Sequence, residues 1–458
     1  MEELVNSWTQ SYNQEVACYA KPDVVTEDQM FSEVYHTLIH SPAMEALLDL
    51  EHTYALAIVK LQSEREADMK HLESRQQAEM EDAIAKVGTI YTDQQVNQLA
   101  QKHYDNTQLI ESKWASELSN LQETQKRQYK NHVMKLHEAH INPGNGVQSY
   151  VQRVRAMSTS AVSTERDQIW QPIKMEESFT IHLGAQKKTT HNLRLLCAEV
   201  LDLCRNIPNI IGGVAVPQPQ RLQTAMSLYS NNLCGLILLV DNKLNSYTGL
   251  KKEFAKLCQQ STEFHFPDLE KQFQAIEENI IAGNEWRQNK IEEPDQVSIK
   301  SGGSNSSGEK DDKLNRLIAG DFYITRHSNL SEVHLVFHLV VDDSLRDNNV
   351  NSRHPVILGI RNILKACVRY DVFTVTIPLL LVHEMSEEMT IQWCMKRAEL
   401  VLKCTKGFMM ELSTWGGHQS RNIQFMLPKG LSDNMFLQIS AMMPTIFRVS
   451  NAIVVKSS

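Results

Sequence analysis

No proline interrupts the chain between Pro42 and Pro143, and a single glycine, Gly88, lies between them. Proline and glycine are the residues that end helices most readily, so this stretch is free to run as helix almost throughout. Apolar residues recur in it every eleven positions: Leu47, Ile58, Met69, Met80 and Tyr91, with Leu50, Leu61, Leu72 and Ala83 as a second row. Eleven residues in three turns is about 3.67 per turn, so the row runs nearly parallel to the helix axis. A stripe of that kind needs another helix against it.

Gly88-Thr89-Ile90-Tyr91 interrupts the first helix, and Thr92 with Gln95 has the spacing of a capping box that starts a second. The second helix carries Val96, Leu99, Ile110, Trp114, Leu118, Leu121, Tyr129, Val133 and Leu136, and stops at Asn142-Pro143-Gly144-Asn145-Gly146. Two helices of about 45 residues would each be ~70 Å long. The short break between them makes an antiparallel, coiled-coil-like hairpin the expected arrangement; a single kinked rod pairing with another chain is the alternative. Because two such stripes need not satisfy each other fully, a third helix from a partner is expected to dock on Leu47, Ile58, Leu61, Met69, Leu72 and Met80.

The expected organisation is α + α/β. Residues 1–41 form a helical lead-in, 42–141 the long hairpin, 142–175 a polar linker, and 176–458 a three-layer α/β domain with a mainly parallel sheet. A disordered insertion is expected at about 285–313, where SerGlyGlySerAsnSerSerGlyGluLysAspAsp offers too little apolar surface to fold. Alternation and apolar runs place strands at Phe179–Leu183, Leu233–Val240, Glu263–Phe266, Val333–Val341, Val372–Val382, Ile423–Leu427 and Ile446–Val455. Helices are expected at His191–Cys204, Phe254–Cys258, Leu269–Ile281, Pro355–Tyr370, Met389–Leu412 and Leu431–Met443. The chain is expected to end soon after this pattern, without an extended tail.

With 458 residues, 42% hydrophobic and 22% charged, the chain has ordinary globular usage and room for two or three domains. A net charge of -9 argues against a surface that is wholly a nucleic-acid clamp, while leaving a local basic patch open. The opening MEELVNSW lacks the apolar core of a signal peptide, and the longest apolar stretch, Val372–Val382, is broken by threonines and Pro378. The chain is therefore read as soluble and cytoplasmic, carried to membranes by partners. Cys18, Cys197, Cys204, Cys234, Cys258, Cys367, Cys394 and Cys404 include no Cys-x-x-Cys pair and read as reduced, structural thiols.

No catalytic constellation stands out. The strand-end turns Val-Val-Asp342-Asp343-Ser344, Leu-Val-His383-Glu384 and Leu-Pro428-Lys429-Gly430 are not glycine-rich, and neither phosphate-cradling loops nor a GxSxG elbow occurs. Asp342, Asp343, His383 and Glu384 resemble an acid/base set, but loop and cap residues of the same types are commoner. His36 and His40 lack the glutamate and third ligand of a zinc site. His334 and His338 share one strand face and read as core histidines, and His132, His137 and His140 on the second long helix could bind metal in a purification sense only. No cofactor and no metal is expected. A basic stretch, Lys126, Arg127, Lys130, Lys135, Arg153 and Arg155, could meet RNA phosphates or an acidic partner, though no aromatic platform accompanies it. Trp415-Gly416-Gly417-His418 marks a loop carrying an aromatic that either anchors a partner or packs beside a turn.

Several long strings are similar to the eukaryotic family of FERRY complex subunit 3. They are GluArgAspGlnIleTrpGlnProIleLys (165–174) leading into SerPheThrIleHisLeuGlyAlaGln (178–186), ArgHisProValIleLeuGlyIleArgAsnIleLeu (353–364), AsnIleGlnPheMetLeuProLysGlyLeuSer (422–432) and MetMetProThrIlePheArgValSerAsn (442–451). The resemblance implies a non-enzymatic subunit of a five-subunit Rab effector assembly that sits on early endosomes and associates with messenger RNA. It implies other complex subunits as partners, an indirect link to a Rab GTPase and the endosomal membrane, and no assigned functional residue. The competing expectation is a macro-domain-like α/β module binding a nucleotide or ADP-ribose-type ligand. Gly320-Asp321 before Phe322–Thr325, and Val375-Thr-Ile-Pro378, bear a faint likeness to that family. A hydrolase built on His383 ranks third.

Overall fold

The computed structural model describes residues 26–141, 175–291 and 317–447, apart from 89, 184–188, 207–208, 212–213, 217–218, 245, 247, 348, 388 and 415–418. The chain opens on α1 (Glu27–Ile39), started by a capping box in which Thr26 and Gln29 satisfy each other's backbone N–H. Two long helices follow, α2 (Met44–Ala85) and α3 (Asp93–Ile141), about 63 and 73 Å in length. Gly88, at φ +82°, makes the turn between them, and its N–H donates to the Tyr91 carbonyl at 3.0 Å. The Thr92–Gln95 pair caps α3 as its spacing implies.

The contacts between α2 and α3 step in opposite directions along the chain, so the helices run antiparallel. Gln76 meets His103 and Thr107, Glu79 meets His103, and Tyr54 meets Gln128. Leu47 and Ile58 are fully buried, and Leu72 and Ala83 nearly so. All nine apolar positions of α3 named above are buried or half-buried. The eleven-residue rows are thus covered largely from within the chain.

The rest is built on a seven-stranded sheet, from β1 (Glu176–Leu183), β2 (Thr189–Cys197), β5 (Leu233–Val240), β6 (Phe322–Arg326), β7 (Leu335–Val340), β8 (Val372–Pro378) and β9 (Asn422–Leu427). Its order is β1-β2-β9-β8-β5-β7-β6, with a parallel centre and an antiparallel strand at each edge. A small hairpin, β3 (Asn209–Ile211) and β4 (Val214–Val216), stands apart. On one face Ile237, Leu239, Phe337, Val375 and Phe425 pack with α7 (Pro355–Arg369), α8 (Ile391–Thr414) and α9 (Asp433–Phe447). On the other, Leu236, Leu238, Val240 and Val336 pack with α5 (Gly249–Gln259) and α6 (Leu269–Ile291). Both faces of β5 are covered, which is why LCGLILLV is continuously apolar.

Four expected elements differ. His191–Cys204, read as a helix, is β2 followed by a 3-10 turn at Val200–Leu203; pairing with both β1 and β9 overrides its helix-like spacing. Glu263–Phe266 is no strand, because the Glu263 carboxylate folds back to accept the N–H groups of His265 and Phe266. The strand expected from Ile446 starts as helix: α9 passes Pro444 and ends at Phe447, which is buried beside Phe425, while 448–458 lie outside the described residues. The helix expected to end at Ile281 continues to Ile291, so 285–291, assigned to the insertion, are helical and 292–316 lie outside the described residues. A helix not foreseen, α4 (Pro219–Ser227), precedes β5.

Candidate functional site: the joint between helices and sheet

The densest buried polar chemistry lies where the long helices meet the α/β body. Phe31, Tyr35, Leu47, Tyr129 and Val133 of α1–α3 share one core with Ala225 of α4 and Phe264. Tyr129 stacks on Phe264, ring centroids 4.2 Å apart. Through this core runs a charged link. Arg221 of α4 donates to Glu51 of α2 at 2.8 Å and to the Ser328 and Leu330 carbonyls at 2.7 and 3.2 Å. The Tyr129 hydroxyl donates to the other Glu51 oxygen at 2.6 Å. The side chains of Arg221 and Glu51 are only 18% and 9% exposed, so solvent screens the pair little. Burial pulls the Arg221 pKa down, but Glu51, with Tyr35 and Tyr129, more than offsets this and the net shift is upward. Burial, then Glu51, pushes both tyrosines well above their ordinary value, so they remain donors.

A second layer braces the link. Gln125 of α3 donates to the Tyr54 carbonyl at 3.1 Å and accepts from Thr262. Glu263 accepts from the Ser328 N–H at 2.7 Å and from the Ser328 hydroxyl; burial raises its pKa against these hydrogen bonds. His265 is ringed by Phe31, Tyr35, Tyr129 and Tyr229, accepts or donates at Nδ1 with the Tyr229 hydroxyl at 3.0 Å, and is lowered to about 3 by burial and by Arg221 and Lys130. Most of the charged and polar groups of this site are engaged with one another. What it does is fix the helices rigidly to the sheet.

Leu47, Tyr129 and Val133 are foreseen as apolar stripe positions, but the polar link through Glu51, Arg221, Glu263 and Ser328 is not, though one signal is present. Glu51 follows Leu47 by four and precedes Ile58 by seven, so a charge sits on the apolar stripe itself and calls for a buried partner.

The docking positions divide. Leu47, Ile58 and Leu72 are buried within the chain, whereas Leu61, Met69 and Met80 are half-buried. Other large apolar groups on these helices and the turn between them stand in solvent: Val59 (48% exposed), Ile84 (59%), Ile90 (68%), Tyr104 (60%) and Leu109 (72%). The basic stretch divides too. Lys126 pairs with Asp268, and Lys130 with Asp28 at 3.0 Å, fastening α3 to its neighbours. Arg127 and Lys135 are exposed; Arg153, Arg155 and Trp415–His418 lie outside the described residues.

The acid/base candidates serve the backbone. His383 Nε2 accepts the Leu239 N–H at 2.8 Å and is lowered to about 4 by burial. Asp342 caps the turn at Ser344, and Asp343 and Glu384 face solvent. His334 accepts from the Cys234 N–H at 2.9 Å and donates to the Thr224 carbonyl at 2.8 Å, while His338 bonds Thr325 at 2.9 Å; both are core groups. The described cysteines are unpaired, and burial raises Cys204 and Cys367 to about 12. Among the described residues no three metal-binding side chains converge, and no helix is long and apolar enough to cross a membrane.

These features define a long helical pair locked to an α/β body. Residues 1–453 match the model of the family described as Ferry endosomal RAB5 effector complex subunit 3. The subunit 3 proteins of Pongo abelii and Homo sapiens are 46% identical over 465 residues, covering 100% of this chain and 83% of theirs. That of Rattus norvegicus is 46% identical over 460 residues, with the same coverage. The chain belongs to this family. A mutant macrodomain of Oceanobacillus iheyensis overlaps 60% of this chain and 96% of its own at TM-score 0.32 and 11% identity, values at which the likeness carries no conclusion about fold or ligand.

Proposed function

We propose that this chain is a non-catalytic scaffold subunit of a FERRY-like RAB5 effector complex, peripheral on early endosomes through its partners and linking them to mRNA transport. The proposed organisation is a lead-in (1–41), a coiled-coil-like hairpin (42–141) as docking rod, a connection (142–175), and an α/β platform (176–458). The observation that carries the reading is the uncovered apolar surface at the far end of the rod: Ile84, Val87 and Ile90, all exposed, beside the turn at Gly88. Covering each from water is worth on the order of 1–2 kcal/mol, which a partner helix would supply and the described residues do not. Half-buried Leu61, Met69 and Met80 extend the surface along α2; Leu47, Ile58 and Leu72 contribute by holding the rod together. We assign any direct mRNA contact to the basic stretch, in which Arg127 and Lys135 are the exposed members without an ion pair among the described residues.

The test is Ile84→Glu with Ile90→Glu in the full chain, followed by affinity purification and mass spectrometry. Loss of the other subunits with an unchanged thermal midpoint supports the reading; recovery of the same subunits in the same amounts removes it.

A further inference from the structure

The sheet has an edge whose backbone is left unpaired inside a cleft. In the β6–β7 ladder the pairs run Phe322↔Leu339, Tyr323↔His338, Ile324↔Phe337, Thr325↔Val336 and Arg326↔Leu335. Strand β7 also pairs with β5, and the Val341 N–H donates to the Val240 carbonyl at 2.9 Å. Odd-numbered residues of β7 therefore bond β5 and even-numbered ones bond β6. Asp321 accordingly accepts from Val340. Residues 321, 323 and 325 are thus turned inward, and the N–H and C=O groups of Phe322, Ile324 and Arg326 point away from the sheet.

At Arg326 those two groups are satisfied in a telling way. The Gln272 side chain of α6 accepts from the Arg326 N–H and donates to its carbonyl, both at 2.8 Å. A primary amide there reproduces the paired contact of a neighbouring strand. Phe322 and Ile324 have no such partner among the described residues. Their edge opens into a cleft of about 510 Å³, walled by Ile276, Ile280 and Gly283 of α6 on one side and by Asn362 of α7 on the other. Gly283 is unusual in the middle of a helix, where it costs about 1 kcal/mol relative to alanine. An added Cβ there would meet nothing within 4 Å, so internal packing does not require a glycine. A long side chain at this lining position would occupy the cleft.

We propose that this cleft binds an extended peptide segment of a partner protein, which adds to β6 as an eighth strand. Its backbone pairs with Phe322 and Ile324, and its alternate side chains face Ile276 and Ile280, so valine- or isoleucine-type residues at every second position suit it. A helix cannot serve, since its backbone groups are already bonded to one another. A nucleic acid strand is disfavoured because the lining cation, Arg287, is held by Asp321 through two bonds of 2.9 and 3.0 Å. The site is independent of the helical rod.

The test uses the full chain and the acetylated, amidated peptide Thr-Val-Thr-Val-Thr, with a copy N-methylated at all five residues as control, so that neither edge of it can donate. Amide-resolved hydrogen exchange of the free chain is expected to show Phe322 and Ile324 exchanging fast and Tyr323 and Thr325 protected. Saturating peptide slows exchange at Phe322 and Ile324 at least tenfold, and the N-methylated copy does not. Ile324→Pro removes one outward N–H without touching the β7 ladder and is expected to weaken binding at least tenfold; Ile324→Val retains it. Gly283→Leu, which fills the cleft from α6, gives the same loss should the proline variant not fold. The proposal is overturned by several results: no protection up to millimolar peptide, equal protection by the N-methylated copy, or protection by an oligouridylate instead. Protection of both amides in the free chain also overturns it, pointing to the chain's own residues if independent of concentration and to a second copy if concentration-dependent.

Discussion

Replacing Arg221 by alanine should loosen the joint between rod and platform more than any other single change on its surface. The substitution removes the donors to Glu51, Ser328 and Leu330 together. Glu51, 9% exposed, is then left with the Tyr129 hydroxyl as its side-chain donor among the described residues. Removing one partner of a buried ion pair costs about 3–5 kcal/mol, most of it the desolvation of the charge left behind. Because the link joins α2 to α4 and the Ser328–Leu330 loop, the loss falls on docking of the helices and not on the sheet. Amide hydrogen exchange reads this directly. At about 1.4 kcal/mol per decade, exchange in α1, α4 and the start of α2 should speed up roughly a hundredfold to a few thousandfold, with β5, β8 and β9 unchanged. Glu51→Gln with Arg221→Met should recover part of the loss, with a coupling of at least about 1 kcal/mol in a double-mutant cycle. If Arg221→Ala leaves exchange in α1 and α4 as it was, the rigid-joint reasoning is wrong.

Three further outcomes follow from the same geometry. His191, His334 and His383 are lowered to about 4 by burial, so each stays neutral in the fold while the unfolded chain takes up a proton near 6.5. The unfolded state then binds more protons, and stability falls as pH drops from 6.5 towards 4, by up to about 1.4 kcal/mol per unit for each group; a flat thermal midpoint across that window would count against it. Gly320 sits at φ +90°, and a Cβ there would meet the Pro355 carbonyl oxygen at 2.4 Å, so Gly320→Ala should cost about 2 kcal/mol or more, visible as a lower urea midpoint. ADP-ribose or ATP at millimolar concentration should not raise the thermal midpoint; a rise of several degrees would revive the ligand-binding reading.

The long helices were legible because their signals are local: an eleven-residue apolar period, the Thr92–Gln95 cap and Gly88 between them. The central strands were legible because burial on both faces leaves unbroken apolar runs such as Leu233–Val240. The misread segments are those where a local pattern has two meanings. Leu193, Leu196, Cys197, Val200 and Leu201 fit a helical face as well as a strand, and only pairing with β1 and β9 decides between them. The joint was invisible for a different reason. Glu51, Tyr129, Arg221, Glu263 and Ser328 are scattered along the chain, and nothing but the fold brings them together. Glu51 alone, a charge on an apolar stripe, announced that something had to meet it.

The direct measurement of the docking rod is cross-linking mass spectrometry of the intact complex with an amine-reactive linker. Lys86 lies at the far end of α2 and is 44% exposed, so it is open to the reagent. Cross-links from Lys86 to lysines of other subunits are the predicted result. A map in which every inter-subunit cross-link lands on residues 176–447, and none on Lys86 or its neighbours on the rod, would contradict the account.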